Sequence, residues 1–219
     1  MLRLLFEKTG NAKWISHLDL MRVFQRAFKR AGLNLTHTQG YNPRPSVSIA
    51  LPLSVGIESH CELLDFELTS DNTSKDEIKE KLNNALISGV RVLDVYSPER
   101  KIKDIAFLQC ELVFEYDNGI HENADSAICE LLSREELIVP RKSKNGIQDQ
   151  NITPMIRSFE VLKENNHEIK STGVICCQNP SLNPMQIPAA VNLYLPQFVP
   201  DFCRCTRIEV FDAAESIFR

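Results

Sequence analysis

Along residues 1–96 the apolar positions switch back and forth between a two-residue and a 3.6-residue period, and few folds accommodate that alternation. Residues 1–8 (MLRLLFEK) place Leu2, Leu4 and Phe6 on one face and read as a strand, which Gly10-Asn11 break. Ser16 then stands where a helix N-cap belongs, with Asp19 three residues on at a capping-box position. Leu20, Met21, Phe24, Ala27, Phe28 and Ala31 recur at helical spacing, and Gly32 suits the residue just past the helix end. Ser46–Pro52 and Glu62–Leu68 alternate as strands, Thr73–Leu86 is a second amphipathic helix, and Val90–Tyr96 closes the series as a strand.

That order, β-α-β-β-α-β, is the split βαβ or ferredoxin-like arrangement. Pro98–Asp104 (PERKIKD) is polar and charged and reads as a boundary. The second half starts again with a strand over Ala106–Tyr116 and a helix over Ala124–Ser133. Strands follow near Glu136–Arg141, Pro154–Val161 and Ile169–Cys177, then a short helix near Pro184–Tyr194 and a last strand over Arg204–Phe211. Lys142–Asn151 (KSKNGIQDQN) reads as a polar loop or hairpin tip. The expectation is an α+β protein of two tandem ferredoxin-like (βαββαβ-type) halves with antiparallel sheets, at residues 1–98 and 105–219, the second with an additional strand.

No apolar run approaches the ~20 residues a membrane span needs, and the N-terminal apolar patch stops too early for a secretory signal. The sequence therefore reads as cytoplasmic, without a membrane partner. Seven cysteines, an odd number, do not make a disulfide framework in a chain of this size. Cys176-Cys177 and Cys203-x-Cys205 lack the CxxC spacing that lets two sulfurs share one ion. Buried apolar cysteines are expected, with no metal and no cofactor. The CxxxCxxC triplet of a radical-generating iron–sulfur cluster is missing too.

The formal net charge is −4, but its distribution is uneven. Residues 1–50 hold eight Lys/Arg (Arg3, Lys8, Lys13, Arg22, Arg26, Lys29, Arg30 and Arg44) against Glu7 and Asp19, a local +6, while the remaining 169 residues carry −10. Bulk charge thus argues against a generally basic nucleic-acid binder, and a local basic surface stays open. On the first helix Arg22, Arg26, Lys29 and Arg30 fall at i, i+4, i+7 and i+8, along one stripe. Such a ridge is either an ordinary solvated face or a phosphate-contacting one that binds polyanions by counterion release. His17 and Asp19 sit in the first helical turn. Two residues apart, they do not share a helical face, so a tight His–Asp dyad is not expected. His17 is the candidate catalytic residue, as general base, ligand or hydrogen-bonding strut; Asp19 is a supporting acid at the helix start.

Gly40-Tyr41-Asn42-Pro43-Arg44-Pro45 is an unusually specific loop. The flanking prolines stiffen the backbone and present Arg44 at low entropic cost, while Asn42 precedes a proline and is biased to an extended or turn conformation. Tyr41 either stacks on a base or packs on the sheet. Gly56, in the turn after Leu51-Pro52-Leu53, is expected in a backbone conformation that other residues avoid.

Five stretches together resemble a known family: Phe6-x-Lys8-x-Gly10, Ser16-His17-Leu18-Asp19-Leu20-Met21-Arg22, Arg26-Ala27-x-x-Arg30-Ala31-Gly32-Leu33, Gly40-Tyr41-Asn42-Pro43-x-Pro45 and Leu51-Pro52-Leu53-x-x-Gly56. The chain is similar over nearly its whole length to the radical SAM-linked family of unknown function, which occurs free-standing or C-terminal to cobalamin-type radical SAM proteins. Asn151–Ser158 and Arg204–Ile208 resemble weaker family stretches. The family loop usually reads Gly-Phe-Asn-Pro-His-Pro, whereas this chain has Tyr41 for the Phe and Arg44 for the His. Arg44 keeps a donor but neither binds metal nor acts as a base near neutral pH. The resemblance implies a radical SAM enzyme as partner and a link to RNA.

The chain has no GxGxxG, P-loop, HExxH or GxSxG motif. Three functions fit these observations. The first is an accessory, substrate-binding protein working with a radical SAM enzyme, which holds RNA or another anion through Arg22, Arg26, Lys29, Arg30, Tyr41, Asn42 and Arg44. The second is a stand-alone RNA-processing or RNA-modifying enzyme using His17. The third is a protein-interaction adaptor using the acidic C-terminal part. Nothing in the residue pattern fixes an oligomeric state.

Overall fold

Ser16 caps the first helix as its position implies: its hydroxyl accepts the Asp19 backbone N–H at 3.2 Å. The helix, α1 (His17–Arg30), ends in a paired-bond C-cap in which the Leu33 N–H reaches the Phe28 carbonyl at 3.0 Å and the Gly32 N–H the Lys29 carbonyl at 3.2 Å. Gly32 takes φ +70° there, a conformation glycine adopts without steric cost. The computed structural model describes residues 1–70, 72–143 and 146–219, and the chain divides into two units, Met1–Ile102 (with Arg219) and Lys103–Phe218.

In the first unit the other elements are β1 (Leu2–Lys8), β2 (Val47–Ile49), β3 (Glu58–Phe66), α2 (Lys75–Ala85) and β4 (Val90–Tyr96). Its strands lie in the order β4-β1-β3-β2, each neighbouring pair antiparallel. Leu4 and Phe6 of β1, Leu64 and Phe66 of β3, Phe24 and Phe28 of α1 and Ile78 and Leu82 of α2 meet in one buried cluster. Phe6 meets Phe24 edge-on at 4.7 Å, and Phe28 meets Phe66 at 4.9 Å. Each such buried side chain contributes about 1.5–3 kcal/mol relative to leaving it in water. The helical stripe of the sequence is therefore the core face of α1, and its cations fall on the opposite, exposed face.

Two boundaries differ from expectation. β2 stops at Ile49, because Leu51 takes φ +44° and turns the chain out of the sheet. β3 starts at Glu58, four residues before Glu62. Its first residues bury Ser59 and Cys61 rather than large apolar groups, so the alternation visible in the sequence begins only later.

The second unit contains β5 (Ile105–Glu115), α3 (Ala124–Leu132), β6 (Ile138–Ser143), β7 (Gly146–Asn151), β8 (Ile156–Lys163), β9 (Glu168–Cys176), α4 (Gln186–Tyr194) and β10 (Phe202–Asp212). Four of its strands pair in the order β10-β5-β9-β8, again antiparallel. β6 and β7 form a separate two-stranded ribbon, with Ile138 opposite Asn151 and Ser143 opposite Gly146. β7 has no counterpart among the expected strands; it falls in Lys142–Asn151, which the sequence allows as a loop or a hairpin tip. Gly146–Asp149 is exposed on both faces, so no apolar alternation marks it; residues 144 and 145 lie outside the described residues. The fold is α+β, built on antiparallel pairing with four α-helices among the described residues.

All seven cysteines are free thiols. Cys61, Cys110, Cys176 and Cys205 are buried, Cys177 and Cys203 are half-buried, and Cys129 alone is exposed. Burial pushes the Cys177, Cys203 and Cys205 thiols up to about 12, which keeps them protonated and unreactive at neutral pH. Among the described residues no three His, Cys, Asp or Glu side chains are grouped to hold a metal ion.

Candidate anion-binding surface

The local charge of residues 1–50 changes character once the chain is folded. Arg3 is fully buried and donates from Nε and Nη2 to the two carboxylate oxygens of Asp65, at 2.6 and 3.0 Å. Lys8 is also fully buried, and its Nζ donates to the carbonyls of Lys13 at 3.3 Å and Ile15 at 2.8 Å. Lys13 pairs with Glu58 at 3.3 Å. Asp65 and Glu58 both lie on β3, beyond residue 50, so cations that look unopposed in sequence are opposed in space.

On α1 the four stripe residues are all exposed, but they are not equivalent. Arg22 Nη1 donates to Asp19 Oδ1 at 2.7 Å, and Asp19 Oδ2 also accepts the Ser16 hydroxyl at 2.7 Å. The Ser16 hydroxyl first, then Arg22, holds the Asp19 carboxyl below its usual 3.8. Arg30 Nη2 donates at 2.5 Å to the carbonyl of Ala85, the last residue of α2, and so closes that helix end. Arg26 and Lys29 have no side-chain partner among the described residues. His17 is the first residue of α1, half-buried, with Nδ1 shielded from solvent and unpartnered. No hydrogen bond joins His17 to Asp19, Tyr41 or Arg44.

The Gly-Tyr-Asn-Pro-Arg-Pro segment forms the tip of a narrow arm. The Thr38 N–H donates to the Arg44 carbonyl at 2.8 Å, and the Arg44 N–H returns to Thr38 Oγ1 at 3.1 Å. His37 bridges to Pro45, and the Ser46 N–H reaches the Thr36 carbonyl at 2.8 Å. Gly40 turns the tip at φ +136°. Tyr41 is 100% exposed, which removes the reading in which it packs on the sheet. Asn42 and Arg44 are exposed as well, and the Arg44 guanidinium has no partner among the described residues. No hydrogen bond or ion pair joins the arm to the α1 stripe, so the candidate residues form two exposed features rather than one enclosed pocket.

A further exposed feature, Trp14, carries no motif in the sequence. Trp14 ends the 3-10 turn Gly10–Trp14 just before the α1 cap and is 58% exposed, as are Leu18 (69%) and Val55 (54%). The indole lies on Gly56, where an added Cβ would meet the ring at 3.3 Å, and Lys13 Nζ stands 5.6 Å from the ring centroid. Gly56 takes φ +89°, the unusual conformation expected of it. In sequence an exposed tryptophan looks the same as a core one; only its isolation beside a helix start set it apart. Two depressions of about 550 Å³ lie in the second unit, one lined by Glu115, Asp117 and His167 among others and one by Asp125, Cys129 and Glu130. Neither includes a candidate residue.

A family model described as an uncharacterized protein conserved in bacteria, DUF2344, matches residues 1–184. The chain belongs to the DUF2344 family. No curated protein matches it. Among solved structures, a chain from a crystal structure of a Cbf5-Nop10-Gar1 complex aligns with TM-score 0.54 at 9% identity, covering 95% of this DUF2344 chain and 48% of that one. A chain from a crystal structure of the archaeal box H/ACA sRNP Nop10-Cbf5 complex aligns with TM-score 0.50 at 8% identity, covering 94% and 46% respectively. The DUF2344 chain thus spans about half the length of the solved chains it matches. At these identities the likeness is one of fold.

Proposed function

We propose that this DUF2344 protein is a non-catalytic accessory protein that holds RNA, or a similar anionic substrate, for a partner radical SAM enzyme. The observation that carries the reading is a set of three exposed cations, Arg26, Lys29 and Arg44, without partners among the described residues, together with the fully exposed Tyr41 on a braced arm. Unpaired guanidinium and ammonium groups on rigid elements are what phosphate contacts use. The radical SAM partner rests on the sequence resemblance. The sRNP named for one solved neighbour supports the RNA part at the level of fold only.

Both strand orders, β4-β1-β3-β2 and β10-β5-β9-β8, support reading the units as ferredoxin-like halves at residues 1–98 and 105–219, the second carrying the β6–β7 ribbon as an insertion. Seven free thiols support a reducing, cytoplasmic setting, and no helix among the described residues is long and apolar enough to cross a membrane. The reading as an enzyme built on His17 is weaker, since neither Tyr41 nor Arg44 is hydrogen-bonded to the imidazole. Filter retention of RNA at low salt tests the proposal, with Arg26→Ala/Lys29→Ala/Arg44→Ala as comparison. Retention that the triple change weakens supports it; no retention, or retention indifferent to the change, overturns it.

A further inference from the structure

We infer that the RNA this protein takes is single-stranded, with unpaired bases stacked at two separate exposed rings, Trp14 beside α1 and Tyr41 on the arm. The inference rests on the RNA reading above and narrows it to a substrate class. Duplex RNA hides its base faces and offers shape, phosphates and 2′-hydroxyls, whereas unpaired bases stack on aromatic side chains. Duplex binding therefore needs cations alone and has no use for exposed rings.

Two aromatic rings are held out in water here. Tyr41 is completely exposed at a tip stiffened by Pro43, Pro45 and the two Thr38–Arg44 hydrogen bonds. Trp14 is more than half exposed, yet its ring is positioned: Gly56 carries no side chain to displace it, and the 3-10 turn beneath it is tied to the buried Lys8 through the Lys13 and Ile15 carbonyls. Leu18 and Val55 expose further apolar surface, and Lys13, 5.6 Å from the ring centroid, is already paired with Glu58. A flat ring held rigid and open to solvent suits an unpaired nucleobase, with Arg26, Lys29 and Arg44 left to meet phosphates. An apolar protein segment would gain from the ring and the aliphatic groups but not from the unpaired Arg26, Lys29 and Arg44.

Trp14 is the only tryptophan of the chain, so tryptophan emission reports on this ring alone. The wild-type protein is titrated at low salt with a short oligouridine and with an RNA duplex of the same length, following emission and filter retention together. The expected result is quenching by the single strand, with the duplex, which makes neither stacking contact, retained up to about a hundred-fold more weakly. Trp14→Phe keeps most of the affinity, while Trp14→Ala and Tyr41→Ala each lose about ten-fold, the size of one stacking contact. Retention of both RNAs with unchanged emission overturns the stacking inference and leaves the RNA reading standing. Retention of neither overturns the RNA reading, and the inference falls with it.

Discussion

The carboxamide of Asn83, on α2, pairs with both backbone groups of Val92 on β4: its Nδ2 donates to the Val92 carbonyl at 3.0 Å, and its Oδ1 accepts the Val92 N–H at 2.8 Å. The side chain supplies the bonds that a neighbouring strand would otherwise make. Among the described residues β1 is the strand partner of β4, so without Asn83 these two groups would face outward unpaired. Asn83→Ala is expected to cost about 1–3 kcal/mol, the penalty for leaving part-buried backbone groups unsatisfied. The Val92 amide should then exchange faster with solvent in a hydrogen-exchange experiment. Asn83→Asp should also destabilise, since a carboxylate keeps the acceptor but has no donor for the carbonyl. An unchanged melting temperature in both variants would show that water replaces the amide at no cost.

A similar contact holds β8 against β9. Gly173 stands opposite Phe159 in the pairing, and a Cβ on it would lie 2.2 Å from Phe159 Cδ2 and 2.9 Å from the Ser158 carbonyl oxygen. The ring covers the strand where glycine offers no side chain of its own. Gly173→Ala is expected to cost about 1–3 kcal/mol by overpacking, read from a denaturant midpoint. Adding Phe159→Ala should recover part of that loss, because the ring is the nearest group in the way. Equal midpoints for the single and double variants would place the strain in the backbone instead.

These relationships mark where sequence reasoning stops. The start and end of α1 were legible because capping is local chemistry: Ser16, Asp19 and Gly32 act within a few residues of where they stand. The core face of α1 was legible for the same reason. The charges were not. Arg3 and Lys8 look like part of a basic segment, yet one meets Asp65 across a strand pair and the other is consumed by the carbonyls of a short turn. Tyr41 and Trp14 show the converse. Their side chains would suit a core, and only the folded chain leaves them in water. Long-range pairing decides both, and it leaves no periodic trace.

The Arg3–Asp65 pair carries its own prediction. Arg3 has no exposed side-chain surface and Asp65 retains 17%. Removing the acid leaves a buried guanidinium without its carboxylate, so Asp65→Ala should destabilise by about 3–5 kcal/mol. Replacing both, as Arg3→Met/Asp65→Leu, should cost much less, since no charge is stranded. A thermal melt of the single and double variants checks this, and additive losses would mean that the two residues act independently.

Asp19 links the α1 cap to pH. Its carboxyl lies below the ordinary 3.8 in the folded chain, through the Ser16 hydroxyl first and Arg22 second. As the pH falls, the unfolded chain therefore takes up this proton before the folded one does. The contribution is present above about pH 4 and is lost as the pH drops through the lower folded value. Asp19→Asn should narrow the stability difference between pH 6 and pH 3, with the two proteins converging at the acid end. Melting curves that stay parallel throughout this range would place the acid sensitivity elsewhere.

The stripe on α1 makes the last prediction, because its four cations differ in what holds them. Arg22 is paired with Asp19 and Arg30 closes the end of α2, whereas Arg26 and Lys29 have no partner among the described residues. A phosphate that meets Arg26 or Lys29 displaces only counterions and water; one that meets Arg22 must compete with a carboxylate. On single-stranded RNA each cation–phosphate contact contributes roughly 0.7 to the slope of log K against log salt. Arg26→Ala/Lys29→Ala should therefore lower that slope by about 1.4 and leave the melting temperature nearly unchanged. Arg22→Ala/Arg30→Ala should lower it less and also reduce stability, since the α1 cap and the α2 end each lose a bond. Filter retention across a salt series separates the pairs. A larger slope change from Arg22 and Arg30 would mean that the RNA breaks the Asp19 and Ala85 contacts on binding, and that the unpaired cations are only a solvated face.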